Sequence, residues 1–233
     1  MPLRPRRKTP CWGDRMNVDQ IFNSENKFFT AMSKAWDVIV LNFYFLLTVV
    51  LGIGPAMTAL YYAMVKNVRR SRSYATKSYF HSFAQNFKQG FIIGIIQLAT
   101  AAGLYYCWGF AMSMDGSQFI AQVYFTVWFV ACLLFVLTSI YVYPLLSRFN
   151  LTIGKAIKEA FVFSLRYLPY TLAMMTMFVI SAIGIWILGP MGAVIIPAVY
   201  TLCKSFVMER VLRKHTPKPE GEEANVVDAW YLE

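Results

Sequence analysis

Asn42, Gln97 and Gln122 are amide side chains set inside long apolar runs of this 233-residue chain. An amide both donates and accepts hydrogen bonds, so three of them spread over different runs could line a path for a neutral solute such as a sugar. Hydroxyls accompany them, among them Thr48, Thr100, Thr138, Ser139, Thr171 and Thr201. The commoner use of such groups is structural, a bond to a carbonyl or across two helices worth about 0.6 to 2 kcal/mol each. No Asp, Glu, Lys, Arg or His occurs in 38–65, 91–114, 116–147 or 167–203. A carboxylate relay of the kind that drives proton-coupled carriers is therefore not expected.

Other chemistry finds little to work with. The two histidines, His81 and His215, stand in basic segments without a nucleophile or a ligand cluster nearby. The four cysteines, Cys11, Cys107, Cys132 and Cys203, form no C-x-x-C pair, and no Gly-rich loop ending in Lys and Ser or Thr is present to hold a phosphate. The reading is a protein that is not an enzyme, with no catalytic, cofactor-binding or metal residues assigned and no cofactor expected.

The elements that must carry these residues follow from composition. Hydrophobic residues make up 58% and charged residues 15%, well short of the quarter usual in soluble domains. The net charge of +10 does not signal nucleic acid, because the basic residues are confined to 1–34, 66–90, 148–168 and 204–233, with apolar sequence between them. Runs at 91–114, 119–146 and 169–188 are long enough to cross a bilayer, and 191–208 is slightly short. The first run, 36–65, is too long for a single crossing and is broken by Gly52, Gly54 and Pro55. Glycine admits unusual backbone angles and proline suits a first helical turn, so these residues predict a helix, a reversal and a second helix. Gly189 and Pro190 predict the same device in the last hairpin.

Basic short loops stay on the cytoplasmic side. That rule puts both termini, 66–90 and 148–168 inside, and Gly52–Gly54, 113–118 and 188–192 outside. Re-entry without a full crossing is the alternative for the first hairpin. The expected fold is therefore all-α, a polytopic transmembrane bundle with five to six membrane-embedded helices and two amphipathic interfacial helices. The domain reading is a basic, disordered extension over 1–17, a helical membrane domain over 18–212, and a cytoplasmic tail over 213–233; Met16 opens a stretch that looks like a natural start, which makes 1–15 either an extension or a mis-called start.

The interfacial helices come from two aromatic stripes. One holds Tyr79, Phe80, Phe83, Phe87 and Phe91, with Lys77 and Lys88 off the stripe; the other holds Ile153, Ile157, Phe161, Leu165 and Leu168, with Lys155, Lys158 and Arg166 elsewhere. At an offset of 78 residues Lys77 matches Lys155, Phe83 matches Phe161 and Lys88 matches Arg166, a hint of an internal repeat. Gly90 and Gly94 form a G-x-x-x-G, which suits close helix packing within the chain.

The segments "WDVIVLNFYFLL", "GIGPAMTALYYAMVK", "SYFHSFAQNFKQG", "YVYPLLSRFNLTIGKAIKEAFVFSLRYLP" and "DAWYLE" resemble the YesL-like bacterial membrane proteins, a family defined as a domain of unknown function. The resemblance covers about Val18 to Glu233. It implies an integral protein of the bacterial cytoplasmic membrane, associated with ABC-type carbohydrate uptake, and supplies no catalytic residues. On it rests the expectation of an accessory component that meets ABC permease subunits or a membrane sensor, and the lipid bilayer, but no nucleic acid. Candidate contact residues are Phe80, Phe83, Phe87, Lys88, Phe161 and Arg166. The alternative is a small permease or channel-like carrier lined by Asn42, Gln97 and Gln122.

Overall fold

A computed structural model describes residues 27–69, 74–113, 118–149 and 151–212. The charge-based placement of the two termini and the disorder expected over 1–17 fall outside the described residues. The described chain is helical throughout and contains no strand. Its helices are α1 (Lys27–Val49), α2 (Ile53–Ala63), α3 (Ala75–Gln85), α4 (Phe87–Met112), α5 (Gln118–Arg148), α6 (Ile153–Arg166), α7 (Leu168–Leu188) and α8 (Pro190–Leu212), with α2 running on as a π-helical stretch, Met64–Arg69. The chain divides into two units, 1–36 and 37–233. The described part of the first is the opening of α1, where Met32 and Trp36 are exposed. The second holds the rest of α1 and every later helix.

Five helices, α1 from Thr30, α4, α5, α7 and α8, are long and apolar enough to cross a membrane. Their large side chains point outward to an extent no water-soluble surface would bear: Trp186 is 85% exposed, Tyr106 76% and Phe119 74%. Such a surface is compatible with a bilayer, and the protein has the character of a membrane protein. Cys107 and Cys203 are free thiols on this exposed surface.

The return arm of the first hairpin is not among them. Its 11 α-helical residues, even continued by the six of the π-helical stretch, are fewer than the roughly 20 that a crossing needs, and Gly54, Pro55, Ala56 and Thr58–Ala63 are all buried. One face of α2 gives Tyr61 to a core shared with Ile93, Tyr141, Leu145, Met208 and Leu212. Another gives Ala56, Ala59, Leu60 and Ala63 to a second core with Leu41, Phe45 and Tyr79. The helix is thus a central wall, apolar all round because protein surrounds it.

The reversal also sits elsewhere than the charge pattern predicts. Gly54 lies against Gly90 and Gly94, in the first two turns of α4. At 1.5 Å per residue, Gly94 stands roughly 27 Å along the helix from Met112. The tip of the first hairpin therefore lies at the 66–90 end of α4, and not beside the 113–118 loop at its other end. Charge could not reveal this, because both chain segments next to the tip are uncharged. The second reversal is as predicted: α7 ends at Leu188, Gly189 turns with φ 57°, and Pro190 begins α8.

Candidate functional site

The two amphipathic helices, α3 and α6, each turn three small residues and one aromatic ring to the protein. In α3 the buried positions are Ala75, Ser78, Tyr79 and Ser82, and in α6 they are Ala156, Ala160, Phe163 and Ser164. Small side chains permit close helix approach, which leaves much of each aromatic stripe at the surface. Phe80, Phe87, Lys88, Phe161 and Arg166 are exposed, and Phe83 is half-buried. Tyr79 departs from the predicted stripe by being fully buried, where its hydroxyl shares a hydrogen bond with Thr48 of α1. Burial pushes its phenol up to about 12. Rings run on from it, Tyr79 to Phe83, Phe83 to Phe87 and Phe87 to Phe91, at centroid distances of 6.4, 5.4 and 5.8 Å. The offset of 78 extends to burial, since Ser78, Ser82 and Asn86 and their counterparts Ala156, Ala160 and Ser164 are all buried.

The three amides are not brought together. Asn42 is buried on α1, with no hydrogen bond to its Oδ1 among the described residues, and Gln122 is exposed near the start of α5. Gln97 alone lines a cavity of about 300 Å³ formed by α2, α4, α5, α7 and α8. Helical spacing explains its walls: Ile53, Met57 and Tyr61 are four residues apart on α2, and Phe135, Ser139 and Tyr143 repeat that spacing on α5. Tyr200, Thr201 and Lys204 of α8 and Phe178 of α7 complete it.

Polar groups on these walls mostly satisfy one another. Tyr143 donates to the Gln97 carbonyl, Gln97 Nε2 donates to Ser139 Oγ at 3.1 Å, and Ser139 in turn donates to the Phe135 carbonyl at 2.8 Å. Thr201 donates to the carbonyl of Pro197 at 2.7 Å. The same back-bonding occupies Thr58, Thr100, Thr126, Thr138, Thr176 and Ser181, which serve their own helices, while Thr48 and Thr171 back-bond and also reach across to Tyr79 and Tyr141.

Sequence reasoning missed the charges beside this cavity. Arg148, at the end of α5, makes an ion pair of 2.9 Å with Glu209 of α8, and both side chains are 1% exposed. Tyr61 donates to the other carboxylate oxygen at 3.3 Å. The three residues tie α2, α5 and α8 together in the interior. Lys204 is also buried, with its Nζ over the Tyr200 ring at 5.6 Å from the centroid. Each of these charges flanks an apolar run and reads as a headgroup contact. One signal was present: Glu209 is the acidic residue among the basic ones of 204–214.

A family model described as a protein of unknown function, DUF624, matches residues 37–107. The match takes in Gly54, Gly90, Gly94 and Gln97, and leaves out Arg148, Lys204 and Glu209. No curated protein and no solved structure matches the chain.

Proposed function

We propose that the protein is a non-enzymatic accessory component of ABC-type carbohydrate uptake in the bacterial cytoplasmic membrane, as the resemblance to YesL-like proteins implies. It works by contact, through the outer faces of α3, the first turn of α4 and α6. The observation that carries this reading is the packing of those helices: most of the buried positions of α3 and α6 are small residues, while Phe80 of α3, Phe87 and Lys88 of α4, and Phe161 and Arg166 of α6 stand exposed. Aromatic rings with flanking cations suit both headgroups and a protein partner. A photo-crosslinking residue at Phe87 or Phe161, in cells growing on a complex carbohydrate, should capture a permease subunit or membrane sensor. Recovery of lipid adducts alone would sink the accessory role.

A second reading, a small carrier for a neutral solute such as a sugar, draws on Gln97 at the cavity wall. Uptake of labelled oligosaccharide by proteoliposomes holding this protein alone would favour it.

A further inference from the structure

We propose that the cavity between α2, α4, α5, α7 and α8 binds an anionic amphiphile drawn from the bilayer, with its head group on Lys204 and its apolar tail along Leu98 and Phe178. Three observations point to that chemistry. Lys204 is 7% exposed and lines the cavity, and among the described residues no hydrogen bond or ion pair reaches its Nζ; the neighbouring carboxylate, Glu209, is engaged by Arg148 and Tyr61. A buried ammonium without a counter-ion is costly, so the site favours a negative charge brought by a ligand.

The other polar groups select against a polyhydroxylated guest. Gln97, Ser139, Tyr143 and Thr201 already bond within the protein, which leaves the Tyr200 hydroxyl as the remaining wall group without a hydrogen bond among the described residues. A guest with one charged end and an apolar body fits such a lining better than a sugar, whose hydroxyls would go unpaired. The third observation is the mouth. Ile53, Leu98 and Phe178 line the same cavity and are 49%, 70% and 38% exposed on the apolar surface, so the open side faces lipid tails and not water. This inference is independent of any protein partner.

The test uses the full chain in nanodiscs of neutral phosphatidylcholine, probed with a diazirine-bearing palmitate. Labelling should map to α4 and α7, and should be competed by dodecanoate or dodecyl phosphate at least tenfold better than by dodecanol. Carboxylate and phosphate competitors of equal chain length show which head group is preferred. Lys204→Met should lower labelling about tenfold, and Lys204→Arg should restore most of it. Removing an unpaired buried charge does not endanger folding, and a thermal melt checks this: dodecanoate should raise the midpoint of the native protein and leave that of Lys204→Met unchanged. Equal labelling of Lys204→Met, equal competition by dodecanol, or competition by acetate as strong as by dodecanoate would each overturn the proposal.

Discussion

Gly54 and Gly189 each stand directly before a proline at the start of a helix, yet the chain uses them for different ends. A Cβ built on Gly54 would lie 1.9 Å from the carbonyl oxygen of Gly90, and one on Gly90 would lie 2.8 Å from the nitrogen of Pro55. At Gly189 a Cβ would meet nothing within 4 Å, but the backbone is at φ 57° and ψ −136°, a conformation that side chains resist. The first glycine gives up volume so that two backbones can cross, and the second gives up stereochemistry so that the chain can turn. A Gly-Pro pair in a membrane hairpin thus has two distinct physical meanings, which a Cβ would report differently.

The largest effect should come from Gly54→Ala. The clash is with backbone, which no rotamer change relieves, so α2 must leave its slot between α3, α4 and α5. A loss beyond the ~1 to 3 kcal/mol usual for overpacking is expected, seen as failure to recover a monodisperse protein in detergent; a normal elution profile would refute the crossing. Glu209→Ala comes next. It takes the carboxylate from Arg148, and breaking a buried pair costs about 3 to 5 kcal/mol, so the thermal midpoint should drop sharply while Glu209→Gln, which keeps a partner for Tyr61, should fall between.

Gly189→Ala tests the other meaning. Backbone strain of about 1 to 3 kcal/mol is expected there, with the protein still folded, and an effect as severe as that of Gly54→Ala would erase the distinction. Tyr79 ties α3 to the first hairpin. Its phenol is raised in the folded state from 10.0 to about 12, so the folded form holds its proton more tightly than the unfolded one. The stability this gives is complete below pH 10 and is lost as pH rises through about 12; Tyr79→Phe should remove that alkaline decline in a pH series of thermal melts. The smallest effect belongs to Gly52→Ala. Gly52 has φ 165°, an extended backbone open to any residue, and its nearest neighbour is the side chain of Phe91 at 3.0 Å, which can shift. A change under about 1 kcal/mol is expected in the same melt.

The sequence predicts that the first reversal exploits glycine's unusual angles, and neither Gly52 nor Gly54 does. Its place in the chain is legible because proline and glycine interrupt a run too long to be one helix. Its purpose is not, since that depends on Gly90, which the sequence shows only as half of a common G-x-x-x-G. The long helices are legible from hydropathy for the same reason that α2 reads wrongly as a crossing. Ala, Leu, Met and Tyr are equally at home against lipid and against other helices, and only the approach of α3, α4 and α5 decides between them.

The charged residues near the candidate cavity are hidden by their positions. Arg148, Lys204 and Glu209 lie at the fringes of apolar runs, where charges ordinarily meet headgroups. Here α2 fills the space next to them, and their burial follows from the glycine crossing. Of the three amides that sequence reasoning groups as a path, Gln97 reaches the cavity, because a pattern of polar residues along a chain does not specify which helix faces meet.

The Arg148–Glu209 pair also sets an order of events. Synthesis delivers the guanidinium 61 residues before the carboxylate, so through the making of α6, α7 and most of α8 the end of α5 waits for its Glu209 contact. The glycine crossing needs only the chain up to Gly94 and can form early, as N-terminal parts generally do. The first half of the molecule is thus assembled by shape, and the whole is latched by charge at the last helix.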